Sequence, residues 1–287
     1  MSNFKKFVLN FSDTTLDLRK KVALMGILNL SPDSFYDGGW YKTEKQILER
    51  VEKMLKEGAD IIDVGGESTR PGAHPISFEE EVKRTIPCIK KINRFFQVPI
   101  SIDTYKAKVA KEACGAGAEM VNDISGLRFD PEMAQIVSAN KAHLIIMHIK
   151  GSPKNMQENP HYEALIPEII SYLKESLRIA KEAGIAPEKV IVDPGIGFGK
   201  TVEHNLFILK NLKKLQVLGR PILIGVSRKS FIGKVLNIPL QQRLAGGIAA
   251  TCVAVAEGAR MVRCHDVRQT RQAVDLLDAI MKQKVHL

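Results

Sequence analysis

Short apolar runs alternate with amphipathic stretches along the whole chain. Eight apolar runs end in polar or small residues, and each leads into a stretch with helical spacing, as at Ile47, Val51, Met54 and Leu55. Eight strand-then-helix units with right-handed crossovers close into a parallel barrel. The pattern therefore predicts a (β/α)8 TIM barrel.

The predicted elements share this order of strand, polar loop and helix. Strands are predicted at 22–30, within 61–72, and at 99–103, 120–123, 142–148, 190–193, 221–226 and 259–264. Helices are predicted at 43–58, from residue 77 onward, and at 105–116, 131–140, 162–183, 202–215, 240–256 and 267–282. Thr43 with Gln46 and Ser77 with Glu80 form capping boxes that mark the first two helix starts.

A small β-hairpin is predicted ahead of the barrel. Residues 7–17, FVLNFSDTTLD, alternate weakly and contain a Ser-Asp turn, and we expect this hairpin to cover the bottom of the barrel. The chain has 287 residues and 45% hydrophobic content, which suits one large core. We therefore expect residues 1–287 to form a single domain.

Composition favours a cytoplasmic protein without a membrane partner. The first ten residues have no apolar core long enough for a signal peptide. The apolar stretch AGGIAATCVAVA is shorter than the ~20 residues that a membrane span needs. The four cysteines lack C-x-x-C spacing, so we expect small buried side chains that stay reduced.

The formal net charge of +10 comes from Lys and Arg spread over many predicted helix faces. A solvated surface explains this distribution, and so does a field that attracts an anionic substrate. Nucleic-acid binding would need a localised basic stripe or a known module, and the sequence contains neither. We expect small-molecule substrates and no nucleic-acid partner.

Carboxylates end several of the predicted strands. The stretch IIDVGGESTRPG, residues 61–72, passes from an apolar run to Asp63, two glycines, a carboxylate, two hydroxyls and a guanidinium. Asp103, Asp123 and Asp193 end three further strands. Because the carboxyl ends of parallel strands gather on one face, we expect these four side chains to share a pocket. For any one of them the alternative is a helix cap or a turn residue.

One side of the barrel mouth is predicted to bind an anion. Arg70, Arg263 and His265 follow strands two and eight, and strand one between them ends in Asn29. Guanidinium groups bind phosphate bidentately, and Mg²⁺ takes one or two protein oxygens together with phosphate oxygens. This grouping favours a di- or polyphosphate site. Each arginine alone is typical of a surface, and Asn29 alone is equally typical of an Asx turn.

The opposite side is predicted to hold a flat heterocycle. Asp103, Asn122, Asp193 and Lys229 converge from four strands, and burying them is costly unless a ligand supplies matching donors and acceptors. A fused nitrogen ring with an amino-oxo edge fits. The alternative for Lys229 is a structural salt bridge with a carboxylate. The loop PGIGFGK, residues 194–200, is only a weak signal for a phosphate cradle.

Eight segments, in order along nearly the whole chain, are similar to the signature segments of one family. They are MGILNLSPDSFYDGG, DVGGESTRPGA, SIDTYKAKVA, VNDISG, MHIKGSPKNMQ, VDPGIGFGKT, GVSRKSFIG and VRCHDV. The chain thereby resembles the bacterial dihydropteroate synthases. The resemblance implies a pterin-binding barrel that joins 6-hydroxymethyl-7,8-dihydropterin diphosphate to 4-aminobenzoate, giving 7,8-dihydropteroate and diphosphate for folate synthesis.

The resemblance also implies roles for twelve side chains, five of which would be catalytic: Asp103, Arg70, Lys229, Arg263 and His265. Pterin would be held by Asp103, Asn122, Asp193 and Lys229, and diphosphate by Asn29, Arg70, Arg263 and His265, with Asn29 on Mg²⁺. The aminobenzoate pocket would be shaped by Thr69, Pro71, Phe198 and Ser230. The family is typically homodimeric and is a sulfonamide target.

The mechanism expected from this resemblance is an SN1-like substitution, with the loops after strands one and two closing over the mouth. Phe231, Ile232 and the apolar sides of the last two helices are candidate dimer contacts, with core packing as the alternative for each residue. A rival function is a pterin-binding methyltetrahydrofolate methyltransferase, which has no need of a basic mouth. The other rival is a non-catalytic binder.

Overall fold

Two β-sheets organise residues 7–31 and 44–282, which are the residues that the computed structural model describes. The smaller sheet pairs β1 (Val8–Asn10) with β2 (Thr15–Asp17) in antiparallel register, Leu9 opposite Leu16. The backbone N–H of Phe11 donates to the carbonyl of Thr14 across the turn. The predicted N-terminal hairpin is confirmed.

The larger sheet contains eight parallel strands in the order β8-β7-β6-β5-β4-β3-β10-β9. They are β3 (Ala23–Asn29), β4 (Ile61–Gly65), β5 (Ile100–Asp103), β6 (Met120–Asp123), β7 (His143–Met147), β8 (Val190–Asp193), β9 (Leu223–Ile224) and β10 (Met261–Cys264). A parallel bridge between Val192 and Ile222 joins the two ends of this order. Because that bridge closes the ring, the predicted (β/α)8 barrel is confirmed.

Helices follow the barrel strands on the outside. They are α1 (Glu44–Lys56), α2 (Phe78–Phe95), α3 (Ala107–Gly115), α4 (Met133–Ala139), α5 (Leu165–Glu182), α6 (Val202–Lys210), α7 (Ser230–Leu236), α8 (Leu244–Ala256) and α9 (Val267–Lys282). The hydroxyl of Ser77 caps α2 by accepting from the Glu80 N–H at 3.2 Å, which is half of the predicted capping box, while the Glu80 carboxylate accepts from Arg84. The predicted cap at Thr43 and the loop from 32 to 43 lie outside the described residues.

The seventh unit differs most from its prediction. The strand expected at 221–226 is only Leu223–Ile224, and the stretch after it, taken as a loop, contains α7. Asn237 adopts a left-handed φ of 52° and ends α7, so the next helix begins at Leu244 instead of 240. The helix expected at 202–215 also breaks, because Asn211 turns its amide back to the Phe207 carbonyl at 2.9 Å.

The amino-terminal end of the barrel is filled with apolar side chains and covered by the hairpin. One buried cluster joins hairpin and barrel: Leu9, Phe11, Leu18, Ala23, Met25, Ile61, Met120, Ile145, Ile191, Leu223 and Met261. His143 fixes the hairpin further, since its Nε2 lies 2.9 Å from the Asn10 carbonyl oxygen. The predicted role of the hairpin as a cover for the barrel bottom is confirmed.

Phe231 and Ile232 are core residues. They are only 5% and 3% exposed and pack within the main hydrophobic cluster. Their suggested role in a dimer contact is therefore wrong, and the core-packing alternative is right. All four cysteines are free, with Cys88 and Cys264 buried. Among residues 7–31 and 44–282, none of the helices has both the length and the apolar composition needed to traverse a bilayer.

Candidate active site

The carboxyl ends of the strands open onto a cavity of about 570 Å³, with a smaller one of about 80 Å³ beside it. The two share Asp103, Phe198, Lys229 and Arg263 in their walls, so they form one continuous slot. Every predicted site residue lines it: Asn29, Thr69, Arg70, Pro71, Asp103, Asn122, Asp193, Phe198, Lys229, Ser230, Arg263 and His265. Residues remote in sequence therefore meet at one rim.

Asp123 does not join this pocket. Its carboxylate accepts from the backbone N–H groups of Ser125 at 2.8 Å and Leu127 at 2.7 Å, so it caps a turn. Successive side chains of a strand point to opposite faces, and Asn122 already occupies the inward position on β6. The prediction that four strand-end carboxylates share the pocket is wrong for Asp123, and the turn alternative is right.

Arg263 lies between two carboxylates on the floor of the slot. Its Nε is 2.6 Å from Asp63 Oδ2, and its Nη2 is 2.7 Å from Asp103 Oδ2. Arg263 and Asp103 had been predicted on opposite sides of the mouth, and that separation is wrong, because the Arg263 side chain extends across the barrel interior to reach Asp103. Asp63, completely buried, was recognised as a strand-end carboxylate but not as a partner of Arg263.

The two carboxylates that pair with Arg263 each have one buried oxygen that lacks a hydrogen-bond donor in the described part of the chain, and the three side chains together form an ion triad. Asp63 Oδ1 and Asp103 Oδ1 are buried without a hydrogen-bond partner among the residues that the structure describes. Burial raises the pKa of Asp103 to about 7; Arg263 opposes the rise and the neighbouring Asp63 adds to it. An unsatisfied buried acceptor costs ~1–3 kcal/mol. The floor is thus arranged to accept N–H groups from a ligand.

Asp193 and Lys229 face each other across the smaller cavity. Asp193 Oδ1 accepts from the Gly195 N–H at 2.7 Å, and burial raises the pKa of this carboxyl. Lys229 Nζ donates to the Ile196 carbonyl, and burial lowers its pKa to about 8. The described residues thus give Lys229 a carbonyl partner in place of the carboxylate of the salt-bridge alternative. Lys229 Nζ also lies 4.3 Å from the centre of the Phe198 ring.

His265 contributes a hydrogen bond to the mouth, not a charge. Burial, assisted by Arg263, lowers its pKa to about 3, so its imidazole is neutral at pH 7. Its Nδ1 lies 3.0 Å from the Ser227 hydroxyl, and its carbonyl accepts from Arg50 at 2.8 Å. Next to it, the Asp266 carboxylate accepts hydrogen bonds from both Nε and Nη2 of Arg228, at 2.9 and 2.8 Å. These contacts tie the loops after β9 and β10 together.

The loop that carries Thr69, Arg70 and Pro71 is anchored by Glu67. Its carboxylate accepts from the Tyr105 hydroxyl at 2.6 Å, the Lys106 ammonium at 2.6 Å and the Ile76 N–H at 3.0 Å. Lys106 also pairs with the buried Glu81 at 2.6 Å. Glu67 thus ties the start of this loop to its end, and it also lines the larger cavity.

The glycine-rich loop 194–200 is shaped by close backbone contact. A Cβ on Gly195, whose φ is +70°, would lie 1.9 Å from the His148 carbonyl oxygen, so only glycine fits. The N–H groups of Gly195 and Gly197 both donate to side chains, Asp193 Oδ1 and Asn205 Oδ1, at 2.7 Å. Because these two amides already donate to side chains, they are not available to bind a phosphate.

Asn29 presents a neutral oxygen at the end of β3. Gly65 on the adjacent strand leaves room for it, since a Cβ there would lie 3.3 Å from Asn29 Oδ1 and 3.8 Å from Asp103 Oδ2. Among the described residues no group of three or more His, Cys, Asp or Glu side chains forms a metal site. One amide oxygen together with phosphate oxygens and water is a donor set that suits Mg²⁺.

Fold and site together define an α/β-barrel that binds a nitrogen heterocycle and an anionic group at the carboxyl ends of its strands. The family model for pterin binding enzymes matches residues 25–265, and the chain belongs to that family.

Individual relatives are more specific than the family model. The dihydropteroate synthase of Synechocystis sp. is 45% identical over 96% of this chain and 95% of its own length. The Yersinia pestis dihydropteroate synthase, solved in a sulfonamide drug complex, has a TM-score of 0.92 at 40% identity, covering 96% of this chain and 99% of that one. A Clostridium difficile dihydropteroate synthase solved in the presence of pteroic acid has a TM-score of 0.84 at 43% identity, with 91% and 97% covered.

Proposed function

We propose that the chain is a dihydropteroate synthase, a transferase of folate biosynthesis. It condenses 6-hydroxymethyl-7,8-dihydropterin diphosphate with 4-aminobenzoate and releases 7,8-dihydropteroate and diphosphate. The observation that carries this proposal is the buried Asp103 Oδ1, an acceptor without a donor among residues 7–31 and 44–282, in a slot that also holds Asp193 and Lys229. Whole-length relatives with the same activity in their names support it.

The pterin ring occupies the smaller cavity in this proposal. Asp193 accepts from the ring N–H and the exocyclic amine, Lys229 donates to the oxo group, and Asn122 pairs with the remaining edge. Asp103 Oδ1 accepts from a ring N–H on the opposite side. Asp103 Oδ1 then has a hydrogen-bond partner, which offsets the cost of burying this oxygen without a donor.

The leaving group faces the mouth. As the bond from the methylene carbon to the diphosphate oxygen breaks, Arg70 and Arg263 stabilise the negative charge, and neutral His265 donates a hydrogen bond. The positive charge on the methylene delocalises into the dihydropterin ring beside Asp103, which becomes a better stabiliser once ionised. Neutral arylamine then attacks the methylene and loses a proton, so no strong general base is required.

The aminobenzoate stands in the outer part of the larger cavity. Thr69 and Pro71 form one wall, and Phe198 with Ser230 at the start of α7 forms the other. The Glu67 anchor keeps the first wall in place, since it holds both ends of that loop. Closure of this loop over the mouth excludes water in our proposal.

Mg²⁺ is the metal we propose at the mouth. Asn29 Oδ1 would hold it with the help of the substrate's diphosphate, and the ion would supply charge neutralisation of the leaving group. The donor set needs the substrate, so the metal is expected to bind tightly only with diphosphate present. The predicted cytoplasmic location stays a prediction.

We propose a homodimer built on the helices α6 to α9. Eight of the eleven large apolar side chains that are exposed among the described residues lie on these neighbouring helices: Leu206, Phe207, Val235, Leu236, Val253, Leu276, Ile280 and Met281. Exposed apolar side chains concentrated on one side favour an isologous interface. Sedimentation at micromolar concentration tests this, and a monomer would refute it.

The activity itself is tested by diphosphate release. We expect release only when the pterin diphosphate, 4-aminobenzoate and Mg²⁺ are all present, with dihydropteroate identified by mass. Binding of the pterin without turnover would support the non-catalytic binder instead. Methyl transfer from methyltetrahydrofolate would support the rival methyltransferase, which the Arg263 and Arg70 side chains at the mouth disfavour.

A further inference from the structure

Lys200 ends the glycine-rich loop and is buried, with 2% of its surface exposed. Its Nζ lies 2.8 Å from His148 Nδ1 and 2.9 Å from the Phe198 carbonyl oxygen, with the His148 carbonyl oxygen at 3.4 Å. Burying an ammonium is costly unless its donors are used. Here three acceptors surround it, yet the proposed reaction gives Lys200 no task.

The loop carbonyls between residues 195 and 199 are each held by a separate donor. The pairs are Gly195 with the Phe198 N–H, Ile196 with Lys229, Gly197 with Gln157, Phe198 with Lys200, and Gly199 with the Tyr162 hydroxyl. Lys200 is therefore the donor that fixes the backbone of Phe198 itself. The Phe198 side chain lines both cavities.

His148 gives Lys200 a rigid support on the barrel wall. Its ring follows β7 and packs against the Tyr172 ring with centroids 4.7 Å apart. Burial lowers the pKa of His148 to about 2, so a neutral ring nitrogen faces the lysine. Because Gly195 packs directly on the His148 carbonyl, the lysine joins the loop to the strand end at its closest approach.

We propose that Lys200, supported by His148, is a positioning residue that holds the Phe198 ring against the aminobenzoate. This inference rests on the proposed function. The pterin groups keep contacts of their own, because Asp193 is fixed by the Gly195 N–H and Lys229 by the Ile196 carbonyl. Because Phe198 also lines the smaller cavity, loss of Lys200 acts mainly on the second substrate, while the hydrogen bonds of Asp193 and Lys229 stay in place.

The test is Lys200→Met, which keeps chain length and removes every donor. We expect the KM for 4-aminobenzoate to rise roughly ten-fold, as for one lost buried hydrogen bond. We expect kcat to fall less than about three-fold and the affinity for 6-hydroxymethylpterin, measured by calorimetry, to fall much less than the KM rises, because Asp193 and Lys229 keep hydrogen bonds that do not involve Lys200.

The matched control is Gln157→Leu. It also removes a side-chain donor to a carbonyl of the same loop, that of Gly197 at 2.7 Å, but Gln157 is exposed. Water replaces an exposed donor at little cost, so its KM should equal that of the unchanged chain.

His148→Phe is the second variant, because it keeps the ring contact with Tyr172 and removes Nδ1. It should raise the same KM by roughly three-fold, since Lys200 retains two acceptors. The double variant should be no worse than Lys200→Met alone if the pair acts as a unit. If Lys200→Met does not fold, His148→Phe decides the question.

An equal KM in Lys200→Met and Gln157→Leu overturns the inference, and so does a pterin affinity that falls as far as the aminobenzoate KM rises. If the unchanged chain forms dihydropteroate normally, either result refutes the role of Lys200 alone. If the unchanged chain forms none, the proposed function is refuted, and the inference with it.

Discussion

Within a single barrel strand, Met261 and Arg263 stand two positions apart and face the same interior. Met261 is completely buried in the apolar cluster under the hairpin, while Arg263 binds two carboxylates at the floor of the slot. The same step of two residues leads from Ile61 to Asp63 on β4 and from Ile191 to Asp193 on β8. On each of these strands, a step of two residues thus leads from the apolar bottom of the barrel, which stabilises the fold, to the polar top, which forms the site.

The two ends differ in how completely their groups are satisfied. At the bottom, apolar side chains fill the interior and need only close packing. At the top, Asp63 and Asp103 each retain a buried oxygen without a partner among the described residues. The comparison implies that substitutions at the bottom change stability, whereas substitutions at the top change binding and rate, sometimes with a gain in stability.

Arg263→Ala should have the largest effect, because Arg263 contributes both to the reaction rate and to the stability of the fold. We expect kcat/KM to fall by roughly 10²-fold or more, since charge on the leaving group loses its stabiliser. We also expect a loss of ~3–5 kcal/mol in the free energy of unfolding, because Asp63 and Asp103 are left buried without their counter-ion. Kinetics and urea unfolding measure the two effects. Arg268→Ala, an exposed change on α9, is the control, and unaltered turnover in Arg263→Ala would reject its assigned role.

Ile145→Ala should show most clearly that the bottom of the barrel determines stability and not activity. Ile145 is fully buried in the bottom cluster, so removing its side chain should lower the free energy of unfolding by ~2–5 kcal/mol. Its kcat/KM, measured well below the melting temperature, should stay within about two-fold. A large kinetic defect in the folded variant would show that the two layers are coupled.

Asp193→Asn should produce the reverse pattern. The amide keeps the shape of the side chain, but its NH2 group donates where a carboxylate oxygen accepted and therefore faces a ring donor, so pterin affinity should fall by roughly ten- to a hundred-fold. Stability should stay equal or rise, because a buried charge has been removed. Calorimetry with 6-hydroxymethylpterin and thermal unfolding measure both. Normal affinity would place the ring elsewhere.

The last prediction concerns pH, and its effect on stability is the smallest when taken per pH unit. The pKa of Asp103 is raised from 3.8 to about 7 in the folded protein. Between these values the unfolded chain has released the proton that the folded chain keeps, so rising pH favours unfolding. Relative to Asp103→Asn, the unsubstituted protein should lose stability from pH 4 to pH 7, by at most ~1.4 kcal/mol per pH unit, and little more above it. Parallel stability curves for the two would contradict the raised pKa.

Much of this molecule was predictable because hydrophobic periodicity is a local signal. Strand β8 ends at Asp193 as predicted, and the cap at Ser77 starts α2 one residue later. The alternation of side chains along a strand was also predictable. Since Asn122 was predicted to point into the slot, its neighbour Asp123 must point to the other face. That rule would have corrected the one strand-end carboxylate placed in the pocket by mistake.

Other features depended on distances across the barrel, which sequence spacing does not encode. The contact of Arg263 with Asp103 spans 160 positions of chain, and that of Lys200 with His148 spans 52. Likewise, Lys106 joins Glu67 to Glu81 only because α3 packs beside α2. Residue types pointed to the kind of chemistry. The choice of partners required the folded chain.

The ion triad of Asp63, Arg263 and Asp103 on the barrel floor couples the binding of the pterin ring to the binding of its diphosphate group. Arg263 is paired with Asp63 and Asp103, so inorganic diphosphate by itself meets a guanidinium whose charge is already balanced. We expect a ring N–H that donates to Asp103 Oδ1 to compete with Arg263 for the negative charge of that carboxylate and so make the guanidinium more available. We expect the anion to bind weakly alone and strongly after the heterocycle, which lets the enzyme ignore the abundant simple phosphates of a cell.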